Sequence, residues 1–243
     1  LLIGFYFNED FGGGYFKDYL IDKEVRDYFY ENFSESFFNY DKFGSTHSPV
    51  YITFFLILKK IFFNETFIRL IGLHLSLLIP FFFYLCLKIK YKLKINDIKI
   101  FIPTIIFFSP YFRSSSIWIS EENISLIFLS ICFYFFLKFE DSKKKKLSDI
   151  FLNILFLALA AYIRPIYSLF GIYFFVRYYF DLNFSYKLLF YIIINIILSF
   201  PAIYYVFVLD INFWFNNYLF RSGFINLISI IITILFFYSI PFL

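Results

Sequence analysis

The sequence predicts an all-α fold, namely a polytopic bundle of transmembrane helices with a large external first loop and an interfacial juxtamembrane helix. Hydrophobic residues make up 61% of the 243 residues, and the mean hydropathy is +0.73. Soluble domains are only about 45–50% apolar. The apolar residues also occur in uninterrupted runs that approach the ~20 residues with which an α-helix crosses ~30 Å of hydrocarbon. These observations argue against a soluble globular fold.

The apolar runs define the predicted spans. They lie at 66–87, 98–112, 117–138, 147–163, 166–180, 186–208 and 224–243, and residues 1–7 would end an earlier span. Two of the runs, 98–112 and 166–180, are short, and Pro165 follows 147–163, so 147–180 could instead form a broken hairpin. The chain contains no Met, and its first and last runs lack flanks. We therefore expect a single transmembrane domain that is truncated at both ends.

The positive-inside rule indicates whether residues 50–63 cross the membrane or lie at its surface. Residues 50–63 are apolar but short for a span, and they contain Lys59 and Lys60. If this helix lies flat with its lysines toward the headgroups, one side of the membrane receives the main basic clusters, which are 88–99 and 138–146 with Arg177 and Lys187. That side is then cytoplasmic. The first loop, 8–49, with nine carboxylates against four cations, falls on the external side.

Two acidic pairs lie on the predicted external side. Glu9 and Asp10 follow the first apolar run and precede Gly12–Gly14, a turn through which backbone could approach a ligand closely. Glu121 and Glu122 open a later apolar run. Carboxylates near hydrocarbon are costly and mark functional sites by default, and they could deprotonate an acceptor hydroxyl or coordinate a metal. The alternative is that both pairs are helix ends that reach water.

Other candidates on this side are His47, Arg164 and Arg221. His47 could bind a sugar hydroxyl or a phosphate oxygen, or it could be a surface residue before the Ser48-Pro49 helix start. Either arginine could hold a phosphate through two hydrogen bonds, or contact lipid headgroups at a helix end. The net charge of +4 comes from clusters beside apolar runs, so nucleic-acid binding is not expected.

The order of these features resembles the GT-C superfamily of membrane glycosyltransferases. The similarity is to the bacterial relatives of protein mannosyltransferases, glycosyltransferase family 39, and to the lipid A aminoarabinose transferases. In that superfamily a first helix leads to an external loop that begins with an acidic motif, which Glu9 and Asp10 match. The loop ends in a motif like His-x-Pro-x-Tyr at the start of a juxtamembrane helix, matched by His47, Pro49 and Tyr51.

Further motifs follow in the family's order: Ser109-Pro110 before an acidic helix start, Arg164-Pro165 after a helix, and Pro201 with a downstream Arg221. By position, Glu122 matches an acidic residue that is usually an aspartate in the family. This substitution is a departure from the family pattern, as is the lack of an arginine several positions before Glu122. The family's further C-terminal helices and domain are also missing from the sequence.

The resemblance implies transfer of a hexosyl or pentosyl group from a polyprenyl-phosphate sugar to a lipid, glycan or protein acceptor on the non-cytoplasmic face. It implies contact with membrane lipids, no certain cofactor, and a possible divalent metal, Mg or Mn. A bacterial inner membrane is the first expectation and the endoplasmic reticulum the second. The alternatives are a polymerase or ligase of undecaprenyl-linked glycans, which would carry an arginine-rich outer loop late in the sequence, and a transporter, which would carry charges at the membrane midplane.

The resemblance also implies roles for the candidate residues. Asp10 would take the proton of the acceptor, and Glu9 or Glu122 would orient the acceptor or a metal. The remaining candidates would bind substrate, with Arg164 and Arg221 at the departing lipid phosphate, and with His47, Tyr51 and Glu121 as further contacts.

Overall fold

The prediction of an all-α fold is confirmed for the part of the chain that the structure describes. The computed structural model describes residues 1–11, 19–20, 23–45, 47–93, 98–182, 185–209 and 211. This part is 83% helical and contains no β-strand. Its α-helices are α1 (Leu2–Tyr6), α2 (Lys23–Glu31), α3 (Phe33–Phe38), α4 (Pro49–Ile61), α5 (Glu65–Ser76), α6 (Leu78–Tyr91), α7 (Pro110–Ile117), α8 (Glu121–Asp141), α9 (Leu147–Ile163), α10 (Phe170–Leu182) and α11 (Tyr186–Phe207).

In the part of the chain that the structure describes, three helical segments are long and apolar enough to span a membrane. They are Glu65–Tyr91, which joins α5 and α6, then α8 and α11, with 27, 21 and 22 residues respectively. At 1.5 Å per residue even the shortest extends for about 31 Å, close to the hydrocarbon thickness. Large apolar side chains stay exposed along the later helices, among them Ile172, Leu189, Ile196, Ile197 and Phe200. Such a surface is stable against lipid chains rather than water.

The predicted spans 98–112 and 166–180 are not continuous α-helices. Residues Ile98–Phe108 form a 3-10 helix that contains Pro103, and Ser109 then caps α7. In the second case a 3-10 turn, Pro165–Leu169, precedes α10. Proline lacks the N–H that an α-helix interior requires, whereas it is well accommodated in the first turn of a helix. The break at Pro165 agrees with the expected interruption of 147–180, and the predicted span 224–243 lies outside the described residues.

The described part of the first loop is largely helical. Helices α2 and α3 and a 3-10 turn, Tyr40–Phe43, precede α4, which Ser48 caps by accepting a hydrogen bond from the N–H of Val50 at 3.1 Å. Helix α4 was expected to direct its lysines toward headgroups, and this stays a prediction for Lys59. Its ammonium bonds Asp27 on α2 at 2.8 Å and lies 4.7 Å from the centre of the Tyr30 ring.

Charged residues collect at two ends of the bundle. At the end where α8 stops and α9 begins, Arg177 pairs with Glu140, and Lys145 lies 3.8 Å from Asp181. Lys187 donates a hydrogen bond to the carbonyl of Lys145 at 2.7 Å. The basic clusters were predicted to lie on one side of the membrane, which requires them to lie close together at one end of the bundle, as they do here. The start of α8 and the end of α9 lie at the opposite end.

Close packing fixes the turn between α7 and α8 against α5. Ile119 in this turn is buried and has a φ of +52°, which is unusual for a β-branched residue. A methyl group added at Gly72 on α5 would overlap the Ile119 side chain. Gly72 is therefore the residue that allows α5 to approach the turn.

The close approach of Gly72 to Ile119 leads to a prediction about stability. We expect Gly72→Ala to be less stable than Gly171→Ala by about 2 kcal/mol, because only the first substitution overpacks a buried contact. Gly171 is a matched control, since a methyl group there would lie 3.7 Å from Leu157, an ordinary van der Waals distance. Thermal unfolding of both variants in detergent measures the difference. Equal midpoints for the two variants would contradict the packing argument.

Candidate functional site

The turn between α7 and α8 positions the second acidic pair. Ser120 caps α8 by accepting a hydrogen bond from the N–H of Asn123, and Glu121 and Glu122 occupy the first turn. Carboxylates are stabilised there because a helix N-terminus carries a partial positive charge. The carbonyl of Ile119 accepts a hydrogen bond from the Tyr51 hydroxyl at 2.7 Å. Tyr51 is fully buried and thus holds the turn against α4.

Glu121 is the most enclosed of the candidate carboxylates, with 2% of its surface exposed. Its Oε2 lies 2.8 Å from Nδ1 of His47 and accepts a hydrogen bond from the N–H of Ser48 at 3.1 Å. Its Oε1 lies 3.0 Å from Nε of Arg164. His47 is also buried, and its carbonyl accepts a hydrogen bond from the Tyr40 hydroxyl at 2.6 Å. These contacts join the end of the first loop to the start of α8 and the end of α9.

Glu122 has a different environment from its neighbour. Its Oε1 forms an ion pair with Nη2 of Arg164, and its side chain is 28% exposed. Its Oε2 is buried and has no hydrogen-bond partner among the residues that the structure describes. Arg164 thus contacts both carboxylates of the acidic pair. We call the residues His47, Glu121, Glu122 and Arg164 the buried charge cluster.

The first acidic pair is held by α7. Arg113 donates to Oε1 of Glu9 from Nη2 at 2.7 Å and from Nε at 2.9 Å, and these hydrogen bonds raise the pKa of Arg113. The Trp118 indole N–H donates to the Glu9 carbonyl at 3.0 Å. Asp10 accepts a weaker hydrogen bond from Ser114 at 3.2 Å. Arg113 and Trp118 therefore hold Glu9 in place, and Ser114 contacts Asp10.

Asp10 lines an open polar pocket of about 510 Å³. The other lining residues are Asn8, Tyr19, Leu20, Lys23, Glu65, Thr66, Arg69 and Trp118. The Arg69 guanidinium lies 3.6 Å from the centre of the Trp118 ring and donates to Asn8 at 2.9 Å. Burial, together with Glu65, raises the pKa of Tyr19 to about 12, so its hydroxyl stays protonated at neutral pH. The pocket therefore offers both hydrogen-bond donors and acceptors, with an aromatic ring.

The structure brings most of the predicted site residues to one end of the bundle. Trp118 in the α7–α8 turn contacts Glu9, and Glu121 three residues later belongs to the buried charge cluster. Sequence analysis gave no role to Arg113, Arg69 or Trp118. The only sequence signal for Arg113 was its position in the polar segment before Glu121. Arg221 lies outside the described residues.

A metal site is not evident in the described part of the chain. There, no group of three or more His, Cys, Asp and Glu side chains is arranged to hold a metal ion. Three of the candidate carboxylates, Glu9, Glu121 and Glu122, are paired with arginines instead. The involvement of Mg or Mn stays a prediction.

Comparisons of this chain with protein-family models, with curated proteins and with solved structures found no match.

The two neighbouring glutamates are expected to differ in their effect on stability. Glu121→Gln removes the charge from a buried carboxylate with several partners, which costs about 3 kcal/mol and on the order of 6–12 °C in unfolding temperature. Glu122→Gln removes a partly exposed charge and is expected to cost about 1 kcal/mol or less. Thermal unfolding in detergent compares the two. A larger loss for Glu122→Gln would show that Glu121 is not the anchor of this end of the bundle.

Proposed function

We propose that the protein is a membrane glycosyltransferase that moves a sugar from a polyprenyl-phosphate donor to a lipid, glycan or protein acceptor on the non-cytoplasmic face. The observation that carries the proposal is the polar pocket containing Asp10, at the end of the apolar bundle where the buried charge cluster also lies. The five motifs that resemble the GT-C superfamily support it independently of the geometry.

The two ends of the helical bundle differ in charge. This difference supports the proposed orientation, in which the acidic end lies on the non-cytoplasmic side of the membrane. Lysine-rich segments meet at one end, as in cytoplasmic loops. The other end carries the acidic pairs and, on α2 and α3, further carboxylates such as Glu31 and Glu35. With the lysine-rich end in the cytoplasm, the pocket opens on the external side. A bacterial inner membrane fits this arrangement, and the endoplasmic reticulum is the second possibility.

Asp10 is the proposed general base of the reaction. In the proposed step the acceptor hydroxyl loses its proton to Asp10 while its oxygen attacks the anomeric carbon. The bond from that carbon to the phosphate oxygen breaks, and the lipid phosphate leaves with the bonding electrons. Glu9 is less suited to accept the proton, because Arg113 binds its carboxylate through two nitrogens. Glu9 is better suited to orient the segment that carries Asp10.

The lipid chain of the donor would bind in a neighbouring apolar cavity of about 250 Å³. This cavity is lined by side chains from α3, α4, α9 and α11, among them Phe37, Pro49, Tyr162, Pro201 and Tyr205. Ser48 also lines it, and the N–H of Ser48 bonds Glu121. An apolar cavity that adjoins a charged cluster suits an amphiphile with a charged phosphate and an apolar chain.

A transport function has less support. Transporters bind substrates near the membrane midplane between discontinuous helices. Among the described residues of α8, the ion-paired side chains lie near the helix ends: Glu121 and Glu122 at the start, and Lys138 and Glu140 at the other end. A polymerase or ligase of undecaprenyl-linked glycans would use similar donor chemistry and would differ from the proposed enzyme in its acceptor.

The proposed reaction is tested with the protein in proteoliposomes and a panel of radiolabelled polyprenyl-phosphate sugars. We expect transfer of label by the wild type. Asp10→Asn is expected to lower the rate by about 10²–10⁴-fold, because an amide cannot accept the acceptor's proton. Glu122→Gln is expected to lower it as well, because the proposed role of the Glu122 carboxylate is to orient the acceptor.

Asp27→Asn serves as the control, because Asp27 is an acidic residue of the same first loop that pairs with Lys59 on the surface. It is expected to leave the rate unchanged. Unfolding temperatures of all variants separate loss of catalysis from loss of folding. Transfer that is indifferent to Asp10→Asn would refute the assignment of the base, and absence of transfer from every donor would refute the glycosyltransferase proposal.

A further inference from the structure

A second pocket lies at the lysine-rich end of the bundle, between two of the candidate membrane spans. It is an open groove of about 540 Å³ between the ends of α6 and α8. Its lining residues are Leu85, Lys88, Ile89, Lys92, Tyr134 and Asp141. An edge-on contact between Phe82 and Tyr134, with ring centres 5.6 Å apart, connects the two helices at the groove. No residue of this pocket belongs to the site proposed for glycosyl transfer.

The two lysines of the groove differ from other basic residues at this end. Lys138 pairs with Asp149, Lys145 with Asp181, and Arg177 with Glu140. Lys88 and Lys92 are both exposed, and neither forms an ion pair with a residue that the structure describes. Lys88 lies in the last turn of α6 and Lys92 directly follows the helix, and both residues line the groove. Two ammonium groups thus face one groove without a carboxylate bound to them.

Charge and polarity identify what the groove would bind. Two lysines against one aspartate leave a net charge of +1, which a phosphodiester with a single negative charge would balance. Leu85, three residues before Lys88, and Ile89, three residues before Lys92, supply the apolar part of the lining. A ligand for this groove therefore needs an anionic head at the membrane surface and an apolar chain below it. A soluble phosphate compound would match only the lysines.

We propose that this groove is a binding site for one anionic glycerophospholipid of the phosphatidylglycerol type. The phosphate lies between Lys88 and Lys92, and a headgroup hydroxyl donates a hydrogen bond to Asp141. The acyl chains run along Leu85 and Ile89. Basic pockets between transmembrane helices favour anionic headgroups for the same electrostatic reason. The site holds α6 against α8 from the lysine-rich side and is independent of the glycosyl-transfer proposal.

Native mass spectrometry tests the site. The protein is purified in detergent and mixed with equal amounts of phosphatidylglycerol and phosphatidylcholine. We expect the wild type to retain one phosphatidylglycerol. Lys88→Gln combined with Lys92→Gln is expected to weaken this binding by about 30-fold, because each lysine contributes about fivefold to anionic lipid binding.

Lys143→Gln combined with Lys146→Gln is the matched control, since both lysines are exposed near the same end of the bundle but do not line the groove. This double variant removes the same charge and is expected to retain the lipid. An equal loss in both double variants, or no loss in either, would overturn the site. Glycerol 3-phosphate, which carries a phosphate without acyl chains, is expected not to displace the lipid, and displacement at equal concentration would overturn the lipid assignment.

Discussion

The buried carboxylate of Glu121 connects three segments that are far apart in the sequence. It contacts His47 and Ser48 at the start of α4 and Arg164 at the end of α9. Removing a charged group from water costs several kcal/mol unless nearby charges and hydrogen bonds compensate the loss of hydration. These contacts must therefore form together. Ser48 adds a further bond, because its hydroxyl donates to the Tyr162 carbonyl at 2.6 Å. The position of the first loop on the helical bundle depends on this carboxylate.

The conformation of Ile119 follows from the same constraint. A left-handed conformation at a β-branched residue costs about 1–3 kcal/mol and persists only where the surroundings impose it. Here the Tyr51 hydroxyl binds the Ile119 carbonyl, and Gly72 leaves space for the side chain. The turn then presents Trp118 to Glu9 and Glu121 to the buried charge cluster within four residues. A strained turn therefore brings both acidic pairs to one end of the protein.

From the sequence, the starts of helices and the separation of charge between the two ends of the bundle could be predicted. The ion-pair partner of each charged residue could not. Ser48-Pro49 begins a helix because serine caps the free N–H groups and proline needs no N–H partner in the first turn. The predicted run 147–163 coincides with α9. By contrast, 98–112 is predominantly apolar, and hydrophobicity alone does not distinguish a 3-10 helix from an α-helix. The partner of Arg113 is 104 residues away, so it is fixed only by tertiary packing.

The ion pairs of Arg164 with two glutamates change the role that this arginine can have in the proposed mechanism. Sequence analysis expected Arg164 to stabilise a phosphate, yet its guanidinium already contacts Glu121 and Glu122. An incoming phosphate would therefore meet two carboxylates at this one guanidinium. Glu121 cannot leave without exposing a buried network, whereas Glu122 is partly exposed and bound through one oxygen. Under the proposed reaction, donor phosphate and Glu122 therefore compete for Nη2 of Arg164, and donor binding would release the Glu122 carboxylate toward the acceptor.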